Sequence, residues 1–237
     1  MGPDLDDSDE QMTSVAALGD PLRRALYRYV VAQPAPVGRD HVADALGVAR
    51  HTVKFHLDKL ETEGLLEVEY RRPPGRTGPG AGRPAKLYRR AGREFAVNLP
   101  GRRYDLAARV MAKAITNASA TGAPLRDALV EAARETGHAL GEEACQARGR
   151  RRSSTSAIKA ISQVLEANGY EPRKTPGSIT LANCPFHALS RDYPDLVCGM
   201  NLDLIRGLVE SVDQDALKPA LTPAPNQCCV SLAVSRA

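Results

Sequence analysis

The run from residue 39 to residue 88 constrains this chain more than any other. It reads RDHVADALGVARHTVKFHLDKLETEGLLEVEY, then a Gly/Pro/Arg loop, then GRPAKLYRR. Residues 41–46 carry a short helical pattern, Gly47 is a turn residue, and residues 49–63 form a second helix. Gly64 ends that helix, because the left-handed position past a C-terminus favours glycine. Two helices joined by a tight glycine turn make a helix-turn-helix unit, whose second helix enters the DNA major groove. Val53, Leu57 and Leu60 recur at i, i+4 and i+7 and predict its core-facing stripe. Arg50, His51, Thr52, Lys54 and Phe55, with Asp58, fall on the rest of the surface, where side chains reach phosphates or base edges.

The following residues predict a wing. Residues 65–70 alternate as a strand, with Leu66, Val68 and Tyr70 on one face and Glu67 and Glu69 on the other, and residues 85–88 are its partner. The loop between holds Arg71, Arg72, Arg76 and Arg83 with four prolines, four glycines and no acid. With Lys86, these arginines are candidate contacts to phosphate or to the minor groove. The charge distribution agrees. Residues 1–12 carry five acids and no base, residues 13–98 carry 15 Lys/Arg against 9 Asp/Glu, and residues 99–237 carry 17 against 14. A basic excess concentrated in one half is the electrostatic footprint of nucleic-acid binding.

The reading "ALGDPLRRALYRYV…HVADALGVARHTVKFHLDKLETEGLLEVEYRR…GRPAKLYR" resembles the winged-helix regulators of the broad ArsR/MarR-type superfamily. It is most similar to the branch holding the iron–sulfur-sensing repressors of suf operons. The resemblance implies a bacterial regulator, a repressor or an activator, that binds a double-stranded operator as a homodimer.

The 237 residues suggest more than one core. The expected organisation is α+β throughout: a disordered acidic tail (1–12), a winged helix-turn-helix domain (13–98), a helical dimerisation segment (99–150) and a small α+β sensor domain (151–237). Asp20-Pro21 is a helix entry, followed by a buried stripe of Leu22, Ala25, Leu26 and Tyr29. From 104 to 146 the chain is Ala-rich and helical. Ala107, Val110, Met111, Ala114, Ile115 and Ala118 share one face, and Leu125, Leu129, Ala132 and Ala133 another. Residues 148–154 predict a mobile basic loop. Further on, residues 157–168 and 201–209 read as helices, and 178–182 and 229–234 as strands. Neither a run of 18 apolar residues nor a signal-peptide pattern is present, so the expectation is a cytoplasmic protein without membrane contact.

The last third also carries the chemistry. Cys184, Cys198, Cys228 and Cys229 are four of the five cysteines. In a cytosolic protein, such a group points to metal or redox chemistry before structural disulfides. Pro185 and Gly199, beside two of them, favour exposed turns. The suf repressors carry a similar pattern, a Cys-Pro after Asn, a second Cys about a dozen residues on and a third near the C-terminus. The resemblance therefore implies a cofactor held by Cys184, Cys198 and one of Cys228 and Cys229. Here thirteen residues separate the first two cysteines, the last is doubled, and His187 stands three residues after Cys184. Three cofactors stay open: a [4Fe–4S] cluster, a [2Fe–2S] cluster with mixed Cys/His ligation using His187, or zinc. Cys145 and His138, on the Ala-rich stretch, are expected to be structural. The alternative is a regulator that responds to a small organic ligand, its cysteines structural. An enzymatic Cys184–His187 pair lacks an orienting third group, and no catalytic residue is assigned.

Overall fold

The computed structural model describes residues 7–72, 84–148 and 153–234. The chain divides into two compact units, Met1–Val97 and Asn98–Ala237.

The first unit begins with helix α1 (Asp7–Ala16) and a single 3-10 turn, Ala17–Gly19. Residues 7–12, expected to be disordered, are thus helical. Acids at a helix N-terminus favour the macrodipole, and tertiary bonds hold the helix down. Glu10 pairs with Arg93 at 2.7 Å, and the Gln11 side chain accepts from the Ala96 amide. Helix α2 (Pro21–Val31) starts as its sequence predicts. The Asp20 carboxylate accepts from the Arg23 amide at 2.8 Å, and Pro21 takes the first turn. Its buried positions are Leu26 and Val30, whereas Ala25 is exposed and Leu22 and Tyr29 are half-buried. The stripe runs along the i, i+4 row through Leu26 and does not extend round to Ala25. A short strand β1 (Val37–Gly38) leads into α3 (Arg39–Leu46), Gly47 turns at φ +63°, and α4 (Arg50–Thr62) follows. At the end of α4 the Gly64 amide bonds the Glu61 carbonyl and the Leu65 amide bonds the Leu60 carbonyl. This is the Schellman arrangement, which requires the left-handed Gly64. Strands β2 (Leu66–Arg71) and β3 (Ala85–Arg90) pair antiparallel from Leu66↔Arg90 to Arg71↔Ala85, and β1 joins the far edge of β3. Val53, Leu57 and Leu60 are fully buried against Leu26, Val42, Leu66 and Tyr88.

The second unit has one core. Helices α5 (Tyr104–Thr121), α6 (Leu125–Arg148), α7 (Ser154–Ala167), α8 (His187–Asp192) and α9 (Pro194–Asp213) accompany a sheet of β4 (Pro172–Thr175), β5 (Ser178–Leu181), β6 (Leu217–Leu221) and β7 (Val230–Val234). The sheet is antiparallel in the order β4-β5-β7-β6. Two findings depart from the sequence reading. The segment 99–150 is not separate from 151–237, because Ala107, Val110, Ala114, Ala132 and Ala133 bury against Leu204, Ile205 and Leu208 in that one core. The second departure concerns α9, which begins at Pro194, not at 201, so Cys198 and Gly199 lie within a helix and not in a turn. Pro at the first helical position starts it there. Ile115 and Leu125 are each 56% exposed and do not enter this core. The loop expected at 148–154 lies largely outside the described residues; Arg148 ends α6 and Ser154 begins α7.

Glycines bring α6 and α9 together. A Cβ on Gly137 would run into the Leu204 carbonyl, one on Gly207 into the Arg134 carbonyl, and one on Gly141 into the Ser211 hydroxyl. The two helix backbones therefore approach as closely as side-chain-free surfaces permit. No helix among the described residues is long and apolar enough to cross a membrane.

Candidate functional site

In the first unit, α4 presents Arg50, His51, Lys54 and Phe55 to solvent, with Thr52 half-buried. Phe55 is 64% exposed. Arg50 starts the helix, its Nε 3.5 Å from Asp40 Oδ1. Arg71 and Arg72 are exposed at the end of β2, Arg71 paired with Glu69 at 2.6 Å. Arg76 and Arg83 lie outside the described residues.

Lys86 differs from the other candidates. Its ammonium is paired with Asp58 at 2.8 Å and with Glu61. Asp58 Oδ1 also accepts from the Tyr88 hydroxyl at 2.7 Å, and Oδ2 accepts from Lys54 at 2.8 Å. Burial alone would raise the Asp58 carboxyl, but hydrogen bonds from Lys54, Lys86 and Tyr88 outweigh it and hold it well below the usual carboxylate range. Burial works against the Lys86 ammonium too, yet its two carboxylate partners hold it charged above the usual lysine range. Lys86 is thus a brace between α4 and β3. Lys86, expected among the DNA contacts, makes these pairs with the acids three and six positions along α4 from Phe55.

Residues 18–69 match the helix-turn-helix domain family. The N-terminal unit thus carries a helix-turn-helix DNA-binding domain, with β2 and β3 in the place of a wing. No curated protein and no solved structure matches the chain.

In the second unit, the four late cysteines come from three segments: Cys184 from the loop after β5, Cys198 from the first turns of α9, and Cys228 and Cys229 from the residues before β7. They meet as a string. The Cys184 thiol lies beside that of Cys228, Cys228 beside Cys229, and Cys229 beside Cys198. Cys184 and Cys228 are buried, Cys198 and Cys229 half-buried. The exposed turns expected at Cys184 and Cys198 are therefore absent. Among the described residues no group of three or more His, Cys, Asp or Glu side chains stands where it could hold a metal ion. As free thiols Cys184, Cys198 and Cys228 resist ionisation. Its contact with Cys228, then burial, pushes Cys184 up, and burial raises Cys198. Nearby Cys184 lowers Cys228, but Cys229 and burial prevail and push it up to about 11. His187 is exposed at the start of α8, its amide bonded to the Cys184 carbonyl.

A hydrogen-bonded frame surrounds the string. The Asn183 amide donates to the carbonyls of Gly101 and Gly169, and Arg102 donates to Asn183 Oδ1 at 2.6 Å. The Arg103 amide bonds the Pro185 carbonyl, and the Cys228 amide bonds the Leu181 carbonyl at 2.7 Å. Asn201, fully buried on α9, donates from Nδ2 to Cys228 Sγ at 3.2 Å and accepts the Tyr170 hydroxyl on Oδ1. Sequence reading missed Asn183, Asn201 and Tyr170. An Asn beside a Cys-Pro and an Asn three residues after Cys198 were the available signals, but neither reveals its partner without the fold. Cys145 stands apart, half-buried on α6 and donating to the Ser211 carbonyl at 3.7 Å, and His138 lies 3.4 Å from Glu210.

Proposed function

We propose that this protein is an operator-binding transcriptional regulator, a repressor in the simplest form, whose DNA affinity is set by an iron–sulfur cluster or a metal ion held by Cys184, Cys198, Cys228 and Cys229. The observation that carries the reading is the meeting of four thiols drawn from a loop, a helix and a strand end. The donor set fits such a group. Thiolates are the ligands that both iron–sulfur clusters and structural zinc prefer, and the raised thiols favour release of their protons only when a cation takes their place. When bound, the group supplies a cross-link among three elements that depends on metal supply or oxidation state. The chain's own residues do the rest. Arg102 and Asn183 hold the Cys184 loop, and α9 carries Cys198 into contact with Cys229.

A homodimer on a two-fold operator completes the reading, since helix-turn-helix readers must match the half-site spacing. Loss of the cross-link loosens the sensor unit and alters that spacing. Protein purified without oxygen should carry iron and acid-labile sulfide, or zinc, and bind one selected operator. Cys184→Ser and Cys198→Ser should each empty it and change operator affinity, and Cys145→Ser should do neither. Variants at 184 and 198 that keep full metal content and unaltered affinity would overturn the reading in favour of a small organic ligand.

A further inference from the structure

One buried polar pair has no use in packing alone. Asn201 is wholly buried on α9, and both ends of its amide are engaged, Oδ1 with the Tyr170 hydroxyl and Nδ2 with Cys228 Sγ. Tyr170 is itself 2% exposed, its ring edge-on to that of Phe186 at 6.4 Å. The Tyr170 backbone is set by the end of α7, where its amide bonds the Leu165 carbonyl after the left-handed Gly169. Burying an amide and a phenol beside a thiol costs free energy unless every group is paired. An apolar pair would fill the space at lower cost.

We propose that Asn201 is a positioning residue for a metal-bound Cys228 thiolate, oriented in turn by Tyr170; this rests on the thiol-ligated regulator read above. The chemistry is directional. A thiol both gives and takes a hydrogen bond, so it accepts either orientation of the Asn201 amide. A thiolate only takes, and it selects the orientation in which Nδ2 faces sulfur and Oδ1 faces the Tyr170 hydroxyl. That is the orientation the pair adopts. Cys228 and Cys229 are thereby unequal: Cys228 has a fixed N–H donor and a backbone bond to Leu181, and Cys229 is the more exposed partner. The donor withdraws charge from the sulfur and fixes where it sits. Partners of ligands at this remove are worth about 10–100-fold in metal affinity.

The test is an anaerobic titration of the full-length apoprotein with Co(II), followed by its sulfur-to-cobalt charge-transfer absorption. Asn201→Asp keeps the shape and the Tyr170 bond but removes the N–H. Tyr170→Phe keeps the ring packing and removes only the hydroxyl. Both should weaken Co(II) binding, Asn201→Asp by about 10–100-fold and Tyr170→Phe by less. Both should also move the charge-transfer band in the same direction, which lost packing alone would not do. Cys228→Ser should abolish the band shift produced by Asn201→Asp, and Cys229→Ser should leave it in place. Wild-type thiolate–Co(II) absorption that both variants reproduce unchanged would overturn the role of Asn201 and leave the thiol site standing. A wild-type protein whose Co(II) uptake is indifferent to Cys184→Ser and Cys228→Ser would overturn both. Should Asn201→Asp fail to fold, Tyr170→Phe alone decides, because it leaves every apolar contact intact.

Discussion

Asp58 shows how one side chain can serve the reading head without touching DNA. Three donors from two elements converge on it, Lys54 from its own helix and Lys86 and Tyr88 from β3. The carboxylate therefore sets the angle at which the wing strands meet the recognition helix. Replacing it by Asn should destabilise the N-terminal unit by about 1.5–3 kcal/mol, the range for hydrogen bonds to charged groups. The pH dependence follows from the sign of its shift. A carboxyl held below its unfolded value of about 3.9 contributes stability that is fully present above that pH and is lost as pH falls through the lower folded value. The gap between wild type and Asp58→Asn in urea melts should be constant from about pH 5 to pH 8 and narrow below about pH 4. A gap that stays the same at pH 3 would show that the charge of Asp58 contributes nothing.

Among the elements, the α6–α9 pair is the one most sensitive to a single methyl group. Gly207 faces the Arg134 carbonyl, and an added Cβ has no flexible side chain to displace, only backbone. Overpacking of this kind costs about 1–3 kcal/mol, occasionally more, and exceeds the roughly 1 kcal/mol of helix propensity gained on replacing Gly by Ala. Gly199, on the same helix, has nothing within 4 Å of its Cβ position. Gly207→Ala should accordingly lower the unfolding midpoint of the C-terminal unit and Gly199→Ala leave it level or raise it, as measured on the metal-free protein. Equal effects at the two positions would mean that α6 and α9 part readily. The edge strands obey a similar local logic. Pro172 opens β4 and Pro219 lies in β6, and both strands are outermost in the sheet, where a missing N–H does least harm.

At the scale of the whole molecule, two units with separate cores carry different chemistry, charge recognition in the first and thiols in the second. The proposed ligation would couple to folding in the second unit alone, because binding free energy at a site absent from the unfolded chain is folding free energy. Free metal at a hundred times its dissociation constant should add about 2.7 kcal/mol. Calorimetry of the apoprotein with excess Zn(II) should raise one transition by several degrees and leave that of the N-terminal unit where it was. A rise in both, or in neither, would contradict confinement of the site to residues 98–237.

The amino-acid sequence alone determined the reading head. Its signals are local: the 3.6-residue period of Val53, Leu57 and Leu60, the left-handed glycines at 47 and 64, and the Asp20-Pro21 helix entry each act within a few residues of themselves. It also marked the four late cysteines as a group by their residue type. Tertiary structure decided the rest, because the deciding contacts join residues far apart in sequence. Helix α1 is held by Arg93, more than eighty residues away, and Lys86 on β3 is paired with two acids on α4. Strands β4 and β6 escaped notice because their prolines speak against strand until the strand is known to be an edge. The thiol string exists only because β5, α9 and β7 bring Cys184, Cys198, Cys228 and Cys229 together, and Asn201 gains meaning only when Cys228 and Tyr170 arrive on either side of it.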